Sequence, residues 1–130
     1  MKEYRFALDA SALMAVIIEE KGRRRVAECL DHACISSVNY SEVVSILALR
    51  GMATGSVLRE LDDIGLSVVA FDRHYAVAAG LLRPLTDGCG MSFGDRACIA
   101  LAHDLKVTAL TADRAWARLP DGIADVELIR

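Results

Sequence analysis

Aromatic side chains are scarce in this chain. Phe, Trp and Tyr together make up 5% of its 130 residues, and Tyr40, Tyr75 and Trp116 stand too far apart to suggest the stacked-ring platform of general single-strand binders. Positive charge is not in excess either. With a formal net charge of −3, bulk charge alone does not draw nucleic acid, so such binding would need a local basic patch or a metal. Long apolar runs are missing: the longest, Ala12 to Ile18, falls well short of the roughly 18 residues of a membrane span. No secretory leader is visible, because Met1-Lys2-Glu3-Tyr4-Arg5 runs straight into a strand pattern. A soluble, cytoplasmic protein is expected. Cys29, Cys34, Cys89 and Cys98 contain no CxxC pair, which argues against zinc and disulfides and for reduced thiols in or near a core. Only two prolines occur, and no linker, repeat or low-complexity tract breaks the chain.

Apolar residues, by contrast, reach 54%, with 25% charged, a balance that suits one compact domain spanning residues 1–130. So much apolar surface on a small domain also points towards a homodimer or a bound partner. The periodicities predict a strand at Arg5–Asp9, a helix at Ala10–Glu20 broken by Gly22, and a second helix at Arg23–Leu30. A strand at Ala33–Ser36 and a helix at Val38–Arg50 follow, then a helix at Thr54–Ile64 capped by Thr54 or Ser56, and a strand at Leu66–Phe71. Asp72 caps a helix that runs to Arg83, and Pro84–Ser92 is the one real loop. The remainder reads as a helix at Phe93–Leu105, a strand at Val107–Thr111, a short helix at Asp113–Arg118 and a strand at Val126–Ile129. Strands alternating with helices predict an α/β fold: a central, mainly parallel sheet of four to five short strands with helices on both faces.

Four acids interrupt apolar segments. Asp9 separates two apolar runs in FALDASAL, and Asp113 follows the strand VTALT; each has the plain alternative of a helix N-cap. Glu42 lies in VNYSEVVSILAL, a helix apolar enough to be expected largely buried, where glutamate is rarely left without a partner. Asp95 opens FGDRACIALAHDL and lies over the stripe Cys98, Ile99 and Ala102, although an acid in a first turn also complements the helix dipole. Asp9 and Asp113 lie just beyond strand C-termini, the edge at which open parallel sheets bind ligands. Asp95 starts a helix after a loop, and the spacing leaves open whether it swings into the same crevice. If the four converge, their mutual repulsion calls for a cation. Oxygen ligands without His or Cys select Mg²⁺ or Mn²⁺, and such a site suits phosphodiester hydrolysis.

The segments DASAL, SSVNYSEVV and SFGDRACIALAHDLKVTALTADRAW resemble the PIN-domain ribonucleases, most closely the VapC-type toxins of type II toxin–antitoxin pairs. The likeness runs from Asp9 to about Leu128. The resemblance implies a PIN-like three-layer sandwich and a Mg²⁺- or Mn²⁺-dependent endoribonuclease whose acidic quartet is Asp9, Glu42, Asp95 and Asp113. Asp9 and Asp95 would be the most direct metal ligands, Glu42 would ligate or orient the attacking water, and Asp113 would complete the shell or help place a second ion. Ser11 and Thr111 match small hydroxyl positions that hydrogen-bond the acids. The same resemblance implies RNA as substrate, a VapB-like antitoxin as partner, and a homodimer.

Lys21, Arg23, Arg24 and Arg25 form the one dense basic run, either a solvated helix start or a phosphate-contacting patch. Arg96 and Arg114, beside two of the acids, either pair locally or reach phosphate. His32, His74 and His103 are not near the acids by pattern, and Trp116 is expected to pack under the Asp113 turn. The loop Pro84–Ser92 is a specificity element or a connector. Two rival readings are a PIN-fold scaffold without cleavage activity and a receiver-like phospho-signalling domain. The second lacks paired acids at the end of the first strand, and its only late lysine, Lys106, precedes the fourth strand.

Overall fold

In the computed structural model, which describes residues 3–130, the elements follow the predicted order. Met1 and Lys2, part of the segment read as lacking a leader, lie outside the described residues. The elements are β1 (Phe6–Leu8), α1 (Ala10–Ile17), α2 (Arg23–Cys29), β2 (Ala33–Ser36), α3 (Ser37–Leu49), α4 (Thr54–Ile64), β3 (Ser67–Val69), α5 (Arg73–Leu81), α6 (Phe93–Leu105), β4 (Thr108–Thr111) and β5 (Asp125–Leu128). Short 3-10 turns occupy Leu30–His32 and Arg114–Arg118. The strands form one sheet in the order β3-β2-β1-β4-β5, and every pairing is parallel. The chain therefore reverses its direction of travel across the sheet between β1 and β4. That reversal opens a crevice at the strand C-termini. The order also differs from the 2-1-3-4-5 arrangement of receiver domains, and Lys106 sits at the opposite, N-terminal end of β4.

Alternation along the three central strands sorts side chains by size. Ala7, Cys34 and Ala109 face one layer and pack with Cys98, Ile99 and Ala102 of α6. Leu8 and Leu110 face the other layer with Ala12 of α1 and Val26 of α2, and Ile35 packs there with Leu13, Val43 and Leu47. Small residues on one face let α6 lie close to the sheet, near enough for the Cys98 thiol to point at the Ala7 carbonyl, 3.9 Å away. Burial pushes the Cys34 thiol up to about 12 and the Cys98 thiol higher than its ordinary value, so neither is a reactive thiolate. All four cysteines are free. Trp116 is buried in the same layer as α6, as expected. Among the described residues no helix is long and apolar enough to cross a membrane.

Local differences from the sequence reading have identifiable causes. α1 stops at Ile17 rather than Glu20, because Glu19 takes a left-handed backbone (φ 56°) and turns the chain. Gly22 then passes so near β5 that a Cβ would lie 2.6 Å from the Ile129 carbonyl oxygen, at a φ of +98° that favours glycine. Neither Thr54 nor Ser56 caps α4: Ala53 occupies the N-cap and makes no side-chain cap bond. α3 is buried along one face only rather than largely buried. Asn39, Val43 and Leu47 form its inner face, Glu42 is exposed, and Leu49 is 90% exposed.

Candidate active site

Asp9 follows β1 directly, and its carboxylate does two jobs at once. It caps α1 by accepting the Ala12 N–H (2.8 Å) and is held by the Ser11 hydroxyl (2.7 Å) and the Thr111 hydroxyl (2.5 Å). Capping the helix and lining the cavity are thus compatible in the same side chain. Ser11 also accepts the Ala112 N–H, and Thr111 accepts the Asp113 N–H. These bonds stitch the end of β1 to the end of β4 and fix where both acids leave the sheet. Asp9 is only 5% exposed. Burial lifts its pKa from 3.8 to about 6, opposed by the bonds from Ser11, Thr111 and Ala12 and reinforced by repulsion from Asp95.

Asp95 belongs to a capping box at the start of α6. The Asp95 N–H donates to the Ser92 hydroxyl (3.1 Å), and the Ser92 N–H donates back to Asp95 Oδ2 (2.9 Å). Asp113 caps the Arg114–Arg118 turn by accepting the Ala115 N–H (2.9 Å) and is exposed. Glu42 reaches the site from α3. Asn39 Nδ2, one turn earlier and buried, donates both to Glu42 Oε1 (2.8 Å) and to the Gly94 carbonyl (2.9 Å), tying α3 to α6. Gly94 makes room for this arrangement: a Cβ there would lie 2.5 Å from Glu42 Oε1.

Asp9, Glu42, Asp95 and Asp113 line one cavity of about 340 Å³ at the C-terminal edge of the sheet, with Ser11, Asn39, Arg50 and Arg130 also on its wall. Its donors are oxygens, the chemistry of a hard divalent cation. Asp9 carries a charge that its hydrogen bonds do not fully compensate, and Asn39 Oδ1 is buried without a partner. Both observations fit a positive charge in the cavity. Among the described residues, however, no three His, Cys, Asp or Glu side chains stand close enough to form a ready chelate. Closing on an ion would therefore take rotation of Glu42 and Asp113, the two exposed members.

The basic residues divide. Arg25 is turned to β5, where Nε and Nη2 bind the two carboxylate oxygens of Glu127 at 2.6 and 2.9 Å while its guanidinium lies over Phe6. Arg23 and Arg24 line a hollow with Glu20, a residue that also borders the acid cavity. Arg96 donates to the Met91 carbonyl (2.9 Å), and Arg114 is exposed beside Asp113. None of the histidines lines the acid cavity; His74 and Tyr75 instead bond Asp104, joining α5 to α6. Sequence reasoning missed Asn39, Arg50 and Arg130. A polar Asn three residues before Glu42, on the stripe continued by Val43 and Leu47, was the available signal for the first. For Arg50 the signal was its place two helical turns after Glu42, on the stripe that Ile46 continues; for Arg130, at the far end of the chain, there was none.

The PIN domain family model matches residues 6–122 of this chain. Ribonuclease VapC42 of Mycobacterium tuberculosis is 34% identical over 106 residues, 74% of this chain and 81% of that protein. Among solved structures, VapBC2 from Rickettsia felis bound to a DNA fragment from their promoter contains a chain of the same fold. Its TM-score is 0.76 at 17% identity, covering 95% of this chain and 97% of that one. VapBC-5 from Mycobacterium tuberculosis matches with a TM-score of 0.64 at 25% identity, covering 97% and 98%.

Proposed function

The chain belongs to the PIN-domain family, and from that premise we propose that it is a ribonuclease toxin of a VapBC-type pair, hydrolysing RNA phosphodiester bonds with divalent metal held by Asp9, Glu42, Asp95 and Asp113. One observation carries the site assignment: four acids from four separate segments line one cavity beyond the strand ends. Mg²⁺ or Mn²⁺, when bound, would lower the pKa of an attacking water and stabilise the leaving oxygen. The protein's own part is placement. Ser11 and Thr111 orient the Asp9 carboxylate, the capping box holds Asp95, and Asn39 aims Glu42 across the gap between α3 and α6. Asp9 and Asp95 would serve as the principal ligands, Glu42 would ligate or orient the water, and Asp113 would complete the shell or help place a second ion. Arg50, on the cavity wall and in none of the ion pairs of the described residues, is positioned to take a substrate phosphate.

A VapB-like antitoxin and a second copy of the chain are the expected partners, and the exposed apolar side chains Val77 and Leu81 of α5 support a covered surface. An RNA substrate implies action in the cytoplasm. The test is cleavage of single-stranded RNA by the purified protein with Mg²⁺ or Mn²⁺ and with a chelator. Asp95→Asn should reduce cleavage to background while circular dichroism is unchanged. Cleavage that survives the chelator, or that survives Asp95→Asn, overturns the assignment. A wild-type protein that binds its partner but never cuts RNA would make it a scaffold.

A further inference from the structure

Beside the acid cavity runs a groove that none of the acids explains. Glu42 lines both, and the groove continues over Ser41, Phe71 and Phe93. Phe93 immediately precedes Gly94, whose backbone packs against the Glu42 carboxylate, so its ring lies next to the site. The ring meets Phe71 edge-on, 5.5 Å between centroids at 88°, and is still 53% exposed. An exposed phenylalanine braced on one side offers a free π-face, costly to leave in water and suited to a flat partner. Serine hydroxyls of α3 flank it: Ser45 donates to the Ser41 carbonyl, and Ser37 accepts the Phe71 N–H.

Past Phe93 the surface opens into a second hollow, bordered by Arg83, Arg96 and the loop at residues 86–92, where the two guanidinium groups outnumber the one carboxylate, Asp87. Neither arginine enters an ion pair among the described residues. The loop is tied down rather than loose, by Thr86 N–H and hydroxyl bonds to the Leu82 carbonyl and by Arg96 holding the Met91 carbonyl. Acid cavity, aromatic ring and guanidinium hollow follow one another through shared wall residues. That order matches the phosphate–base–phosphate repeat of a single RNA strand.

We propose that Phe93 is the stacking surface for an unpaired base next to the scissile phosphate, with Arg83 and Arg96 taking the following phosphate. The proposal rests on the nuclease reading of the adjoining site and names how its substrate is held. A single ring, unlike a platform, selects an unstacked nucleotide at one position, so the preferred RNA is a loop or bulge rather than a duplex.

The experiment uses single-stranded RNA decamers carrying 2-aminopurine at successive positions, bound to the full chain in Mg²⁺ with Asp95→Asn present so that nothing is cut. Quenching at one position is expected, lost with Phe93→Ala together with about tenfold in affinity, and kept with Phe93→Trp. Arg83→Ala should weaken binding to all sequences and lower the salt slope by about 0.7. Quenching and affinity unchanged by Phe93→Ala overturn the proposal. So does a Phe93→Ala protein that sediments as a smaller species while binding RNA as before, which would assign the ring to a protein interface. Wild-type cleavage without any dependence on Phe93 sinks the stacking surface alone; Phe93-dependent quenching by a wild-type protein that never cleaves sinks the nuclease alone.

Discussion

Asp9 is a buried carboxylate whose pKa is raised from 3.8 to about 6 chiefly by desolvation. Between those two values the folded protein binds more protons than the unfolded chain, so stability of the metal-free protein falls as pH rises from about 4 to about 6 and then levels off. The span is on the order of 3 kcal/mol. Asp9→Asn keeps an acceptor for the Ser11 and Ala12 donors and removes the charge. It should flatten that slope, raise the melting temperature of the metal-free protein at pH 7 by about 3–10 °C, and abolish cleavage. Thermal melts across pH 4–8 with a chelator check it; an unchanged slope refutes the account of Asp9. Gly94→Ala separates stability from activity by another route. Alanine favours a helix over glycine by about 0.5–1 kcal/mol, but its Cβ would occupy the space of the Glu42 carboxylate. The variant should melt no lower than wild type and cleave about a hundredfold more slowly, as parallel melts and initial rates would reveal.

At the scale of elements, the acid geometry depends on how closely α6 lies on the sheet. Ala109→Leu would overpack the layer of Ala7, Cys98 and Ala102, cost about 1–3 kcal/mol, and lift the start of α6 with Asp95. Val26→Ala, on the opposite layer, costs a comparable amount and does not touch that spacing. Rates measured well below both melting points should fall for the first and not for the second. The element order was legible in the sequence because the periodicities change sharply at Asp9, Ser36, Asp72 and Asp113, residues that cap helices here. Less legible was the exposure of Glu42. α3 is apolar almost all round, and composition alone does not say that its solvent side carries Ile46 and Leu49. Nor did the basic run mark the cavity wall, since Arg25 is taken up by Glu127 while Arg50 follows Glu42 and Ile46 along α3 and Arg130 arrives by tertiary packing.

For the molecule as a whole, four carboxylates around one cavity should make the fold more stable with a cation than without. Millimolar Mg²⁺ or Mn²⁺ should raise the melting temperature at pH 7.5, by the binding free energy that accrues to the folded state alone. The shift should shrink in Asp9→Asn and Asp95→Asn. Equal shifts in all three proteins would place the ion elsewhere. Long-range assembly has a further consequence for how the protein is made. Thr111 clasps Asp9 across 102 positions of chain, and Ala112 reaches Ser11 across 101. Until β4 has emerged from the ribosome, a nascent copy carries the first acids but has nothing to hold them in place. At about 5–20 residues per second, a growing chain has no assembled acid cavity for several seconds and completes one only after β4 has been made.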